Sequence, residues 1–162
     1  MEKVISIGKQ NFASLRENHY FFVDKSHFIK DWWENGDEIT LITRPRRFGK
    51  TLNMSMLDCF FSNKYAVRGD LFEGLGVWEE GKYRELQGTY PVIFLSFAAV
   101  KADQLSEAKI QIKQQIARVY EENRYLLDGD LLSGNEKKAY NEVNLHMGDA
   151  EAAAALNNMS MH

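Results

Sequence analysis

Cysteine occurs once in these 162 residues, so no internal disulfide can form and no cysteine-based metal framework exists. Cys59 sits in the apolar run LDCFF, where a buried structural thiol is expected rather than a nucleophile. No apolar stretch approaches the ~18 residues that span a bilayer. The N-terminal MEKVISIGKQ has no apolar segment of a secretory signal. These absences lead to the expectation of a cytoplasmic chain with no membrane partner. Basic excess is missing too: 20 Lys and Arg against 23 Asp and Glu leave a net charge of -3. General nucleic-acid binders are more often basic overall, so any anion site here must be local. His19, His27, His146 and His162 are scattered without metal-ligand spacing. Asp128-Gly129-Asp130 lacks the remaining ligands of a calcium loop and reads as a turn. No internal repeat is visible.

What is present is an ordinary globular composition, 44% hydrophobic and 27% charged, in a length that suits one domain, residues 1–162, with a real core. Val4 to Ile7 and Tyr20 to Val23 are weak strand candidates. Asp24 or Ser26 can cap the helix that Phe28, Ile29, Trp32 and Trp33 mark by their spacing, and Gly36 is its natural stop. Ile39 to Thr43 (ITLIT) is apolar without polar alternation, as in a strand covered on both faces of a parallel sheet. From Lys50 the period changes to helical, with Leu52, Met56, Cys59 and Phe60 on one face. Residues 64 to 90 are punctuated by glycine and read as loops and short elements. Tyr90 to Phe97 (YPVIFLSF) is the second strong strand candidate. Helices are expected over Gln104 to Tyr125, Glu136 to Met147 and Ala150 to Met161.

Strand, basic loop, helix, strand, helix is the opening of a wound α/β domain. Two firm strands and two weak ones are few for a sheet of ~4–6, and the chain stops within a helical pattern. We therefore expect a fragment that ends before its sheet is complete.

The most informative run is LITRPRRFGKTLNMSM, residues 41–56. Gly49-Lys50-Thr51 is the back half of the phosphate loop G-x-x-x-x-G-K-[ST], but position 44, where the first glycine belongs, is Arg44. The triplet alone arises by chance in roughly one chain in ten of this length, so context decides. ITLIT before it and an apolar helical face after it supply the strand–loop–helix setting. The first N–H groups of a helix have no internal partners and, with the helix dipole, form an anion site. Gly49 admits a close phosphate, Lys50 would bring charge to the β- and γ-phosphates, and the Thr51 hydroxyl would face Mg²⁺. Arg44 cannot replace glycine's freedom, and Pro45 biases it toward extended conformations. Either the loop has another shape or Arg44 is strained. Arg44, Arg46 and Arg47 add three charges that favour polyphosphate. The plainer reading is a solvated basic turn at a helix start.

The run RPRRFGKT resembles the nucleotide loop of the AAA-ATPase-like family of bacteria and archaea, in which this is the usual form of the loop. ISIGKQNFASLRENHYFFVDKSHFIKD is similar to that family's N-terminal block, with Val23-Asp24-Lys25-Ser26 where V-D-K-T is usual. DLFEGLGVWE and YPVIFLSF resemble the two blocks that follow. The resemblance covers most of residues 4 to 100. It implies a three-layer P-loop NTPase fold with a mostly parallel sheet, incomplete in this chain. It implies ATP binding over Arg44, Pro45, Arg46, Arg47, Phe48, Gly49, Lys50, Thr51 and Leu52, with Mg²⁺ at Thr51. It also places the Asp24-Lys25 block before the loop, near the nucleotide base. The family's acidic D-E-Y-D strand, whose carboxylate would hold Mg²⁺ and position water, is expected just after residues 150 to 161. The PD-(D/E)XK nuclease-like domain that many members carry, a route to nucleic acid, lies further on. The expectation is an ATP-binding segment whose hydrolysis awaits the intact protein. The rivals are a non-hydrolysing nucleotide switch and a nucleic-acid-associated module.

Overall fold

The computed structural model describes residues 4–45 and 47–160. The chain divides into two compact units, Met1–Val92 and Ile93–His162.

In the first unit, α1 (Phe12–Glu17) starts at Asn11, whose Oδ1 accepts the N–H of Ser14 at 2.7 Å, a side-chain cap on an orphan donor. Helix α2 (His27–Asn35) stops at Gly36, which takes the left-handed conformation at φ 65°. Helix α3 (Lys50–Phe61) is the centre of the unit: Met56, Cys59, Phe60 and Phe61 are buried along it. Three 3₁₀ turns and the short α4 (Gly81–Leu86) follow. Phe12, Phe60 and Phe72 meet with ring centroids 5.1 Å apart in the Phe12–Phe72 and Phe60–Phe72 pairs. Such contacts add to burial that is worth about 2–3 kcal/mol per large apolar side chain.

Helix α3 is fastened along its length. In its middle, the Ser55 hydroxyl accepts the buried N–H of Phe12 at 3.0 Å. At its far end, Gly88 N–H donates to Phe60 O at 2.7 Å and Tyr90 N–H to Phe61 O at 2.9 Å. That return is tight. Gly88 has φ 71°, and a Cβ there would stand 2.3 Å from the Ala66 Cα. The Arg16 guanidinium ties α1 to the chain beyond, donating to Leu71 O and Glu73 O at 2.7 and 2.6 Å.

The second unit is built on α5 (Leu105–Glu122), α6 (Gly134–Glu142) and α7 (Asp149–Met159). Ala152 and Ala155 bring α7 close to Ile116 and Val119 of α5. The Tyr120 hydroxyl donates to Ala155 O at 2.7 Å, and that of Tyr140 to Tyr120 O at 2.6 Å. Ser133 and Glu136 form a reciprocal capping box at the start of α6.

The expected three-layer α/β fold with a mostly parallel sheet is not formed. Helix accounts for 55% of the structure, and the described residues contain no sheet. One isolated parallel bridge, Ser62 to Tyr90, is the pairing that the second expected strand, Tyr90 to Phe97, makes among the described residues. The two weak strand candidates share a single backbone bond, from Phe21 N–H to Val4 O at 2.9 Å. The physical reason lies in pairing. An apolar run becomes a strand only beside another strand, and a parallel partner must come through a long crossover. ITLIT finds none among the described residues: Ile39 is 89% exposed and Leu41 83% exposed. The helical segments instead bury their apolar faces against one another. Among the described residues no helix is long and apolar enough to cross a membrane.

Candidate functional site

The loop that opens α3 is shaped by its own backbone. Arg44 and Pro45 are exposed in an irregular segment. Arg46 lies outside the described residues. Arg47 adopts φ 69°, a left-handed value that a side chain resists. Of the two alternatives, another loop shape or strain at Arg44, the structure takes the first: the left-handed non-glycine residue of the loop is Arg47, and Arg44 is not left-handed. Phe48 is 60% exposed. Gly49 follows at φ 76°, ψ 17°, and Lys50 begins the right-handed helix. A left-handed residue followed by a right-handed one turns successive N–H groups toward a common point, the geometry of an anion-binding nest. A Cβ on Gly49 would meet nothing within 4 Å, so the glycine serves the backbone angle and leaves open space beside it.

The helix start has no anion of its own. No acid lies in the first turn of α3 and no side chain caps it; the first helical bond runs from Asn53 N–H to Gly49 O at 2.9 Å. Lys50 is half-buried, and its Nζ donates to the Arg44 carbonyl, drawing the loop across the helix end. Thr51 and Leu52 are also half-buried, and Leu52 packs on the core of the unit. Among the described residues no carboxylate pairs with Arg44, Arg47 or Lys50.

These features fit the phosphates of a nucleotide: orphan N–H groups, a nest, an amine held by an exchangeable carbonyl, and unneutralised guanidiniums. For Mg²⁺ the fit is partial. The Thr51 hydroxyl could supply one ligand, but the described residues hold no group of three His, Cys, Asp or Glu side chains able to bind a metal.

The N-terminal block divides into two roles. Asp24 is structural: its Oδ1 accepts the N–H of Ser26 and its Oδ2 that of Gly76, both at 2.8 Å. Burial pushes its carboxyl up, but the Gly76 and Ser26 amides outweigh this and hold it below its ordinary value. Ser26 heads α2 yet makes no side-chain cap there; its buried hydroxyl accepts Val77 N–H at 3.1 Å. Lys25, in contrast, lines a cleft with Gly49, and so does Lys9, which no motif singles out. Cys59 is 1% exposed, and burial pushes its thiol up to about 11, so it is inert packing.

A family model described as Predicted AAA-ATPase, of the AAA-ATPase-like family, matches residues 6–153. An uncharacterized protein in the vnfD 5′ region of Azotobacter chroococcum mcd 1 is 36% identical over 96 residues, which cover 59% of this chain and 17% of that protein. This chain thus matches well under a quarter of its relative's length. No solved structure matches it.

Proposed function

The chain belongs to the AAA-ATPase-like family, and from that premise we propose that residues 44–52 bind the phosphates of ATP through a variant phosphate loop. Lys50 would leave the Arg44 carbonyl for the β- and γ-phosphates, a stronger acceptor by charge. The N–H groups at the start of α3 would take a phosphate oxygen, and Arg44, Arg47 and Phe48 would form the outer wall. Thr51 would give its hydroxyl to Mg²⁺, whose remaining ligands would be phosphate oxygens and water. The observation that carries this reading is the left-handed Gly49 opening an uncapped helix on a lysine.

Hydrolysis asks for more than binding. A carboxylate must hold Mg²⁺ and an acceptor must orient the attacking water. The described residues hold no group of three His, Cys, Asp or Glu side chains that could bind a metal, so the reading here is of binding, with a non-hydrolysing switch as its alternative. We assign ATP hydrolysis to the longer proteins of the family. Calorimetry with Mg²⁺ and ATP, wild type against Lys50→Ala, tests the binding. Phosphate release from a chain extended C-terminally then separates ATPase from switch.

A further inference from the structure

A cavity of about 230 Å³ lies wholly within the second unit, among α5, α6, α7 and the 3₁₀ turn Arg124–Leu127. Leu126, Leu132 and Met159 give it an apolar wall. Tyr120 and Tyr140 give it an aromatic one, with ring centroids 4.5 Å apart. Both tyrosine hydroxyls donate to backbone carbonyls, so what the tyrosines offer the cavity is ring surface. Of the side chains that line it, only Glu136 is charged. Its Oε2 accepts the Ser133 N–H at 2.7 Å, which leaves the charge of the carboxylate in place. Asn158 lines the cavity from the last turn of α7, and no basic residue in that turn offsets the partial negative charge of the helix end.

We propose that this cavity binds a small, free, methylated ammonium ion, with Glu136 as its counter-charge and Tyr120 and Tyr140 as cation–π contacts. The site is separate from the nucleotide loop and does not rest on that reading. Charge argues for a cation, because a carboxylate, a helix C-terminus and two aromatic rings each attract positive charge. Chemistry argues for a methylated one. A primary ammonium carries three donors, and burying donors against hydrocarbon walls is costly. A trimethylammonium has no N–H to satisfy and packs its methyl groups on leucine, methionine and tyrosine. Size agrees: a cavity of ~150 Å³ accepts a benzene ring, whereas pockets for drug-sized ligands run to ~300 Å³ and more. Leu132 and Met159 are buried, so the site is a recess rather than a face, which suits a free ion better than a head group held in a surface.

An amide NMR titration tests it with choline, with ethanolamine, and with the neutral isostere of choline in which a tert-butyl group replaces the trimethylammonium. Wild type should bind choline about tenfold more tightly than the isostere, the order of a desolvated cation–π contact, and more tightly than ethanolamine. Glu136→Gln should remove most of that preference and leave binding of the isostere unchanged. Glutamine still accepts the Ser133 N–H, so α6 stays capped. Asn158→Lys, at an exposed position, should abolish choline binding without lowering the melting temperature, since a lysine suits a helix end. Equal wild-type affinity for choline and the isostere overturns the proposal, as does a choline preference that survives in both variants. Ethanolamine bound as tightly as choline overturns the methylated ligand. Retention on phosphatidylcholine vesicles that is lost in Glu136→Gln overturns the free ion in favour of a lipid head group. Failure of wild type to bind choline overturns the site and leaves the nucleotide loop untouched.

Discussion

Two helices begin in opposite ways. Helix α7 opens with Asp149 and Glu151 in its first turn, and the Glu151 carboxylate accepts the Gly148 N–H at 2.6 Å. Helix α3 opens with Lys50 and Thr51, has no acid in its first turn and no side-chain cap. Every α-helix leaves about four N–H groups unpaired at its start and carries partial positive charge there. Helix α7 meets the charge, and one of those N–H groups, with its own carboxylates, and the charge of Asp149 is matched in turn by Lys109 and Lys113 at 2.6 and 2.9 Å. Helix α3 answers neither, and the chain before it adds arginines. A helix start is an anion site by default, and α7 shows how side chains of the helix itself can offset it. The start of α3 is left open, with cations around it.

The comparison can be broken or sharpened by substitution. The largest effect should come from Gly88→Ala. It forces a side chain into the left-handed region and into the Ala66 backbone, releasing the far end of α3. A loss of about 3 kcal/mol or more is expected in the first unit. Urea unfolding followed by tryptophan fluorescence reads it, since Trp32, Trp33 and Trp78 all lie in that unit.

Next comes Thr51→Glu, which gives α3 an acid of the kind α7 has. The helix should gain ~0.3–1 kcal/mol, while affinity for ATP should fall on the order of tenfold, as the new carboxylate occupies the anion's place and the Mg²⁺ ligand is lost. A gain in stability without loss of ATP affinity would show that the two helix starts are not competing for the same kind of charge. The converse change, Glu151→Gln, should cost the second unit ~0.5–1 kcal/mol by thermal circular dichroism and leave nucleotide binding untouched.

The smallest effect concerns acid. Hydrogen bonds from Lys109 and then Lys113 hold the Asp149 carboxyl down at about 2. Its folded value lies below its ordinary 3.8, so the stabilisation is complete above pH ~4 and is lost as pH falls toward 2. The groups are exposed, so the change is slight. Asp149→Asn should flatten the acid limb of the second unit's melting profile over that window, and high salt should shrink the wild-type limb.

Much of this was legible in residue order. Helices α2, α3 and α5 follow apolar spacing, α6 and α7 overlap stretches expected to be helical, and Gly36 and Gly49 mark a stop and a start through the one residue type that takes left-handed angles freely. The loop's chemistry is local, so a contiguous motif could announce it. The sheet was misread because ITLIT and YPVIFLSF are strand-like in composition, yet a strand is a pairwise object and composition names no partner. Helices α1 and α4 went unread because six residues offer too little periodicity. Lys9 and Lys25 reach Gly49 only through the folding of the first unit, as do the Arg16 bonds to Leu71 O and Glu73 O. No local pattern could have joined them.

The nucleotide-phosphate site proposed at the open start of α3 works through Lys50. Calorimetric titration of Mg²⁺–ATP into wild type and Lys50→Ala, at matched salt, tests it most directly. The account predicts saturable binding by wild type and a loss of tenfold or more in Lys50→Ala with an unchanged melting temperature. Equal binding by both proteins, or none by either, would contradict it.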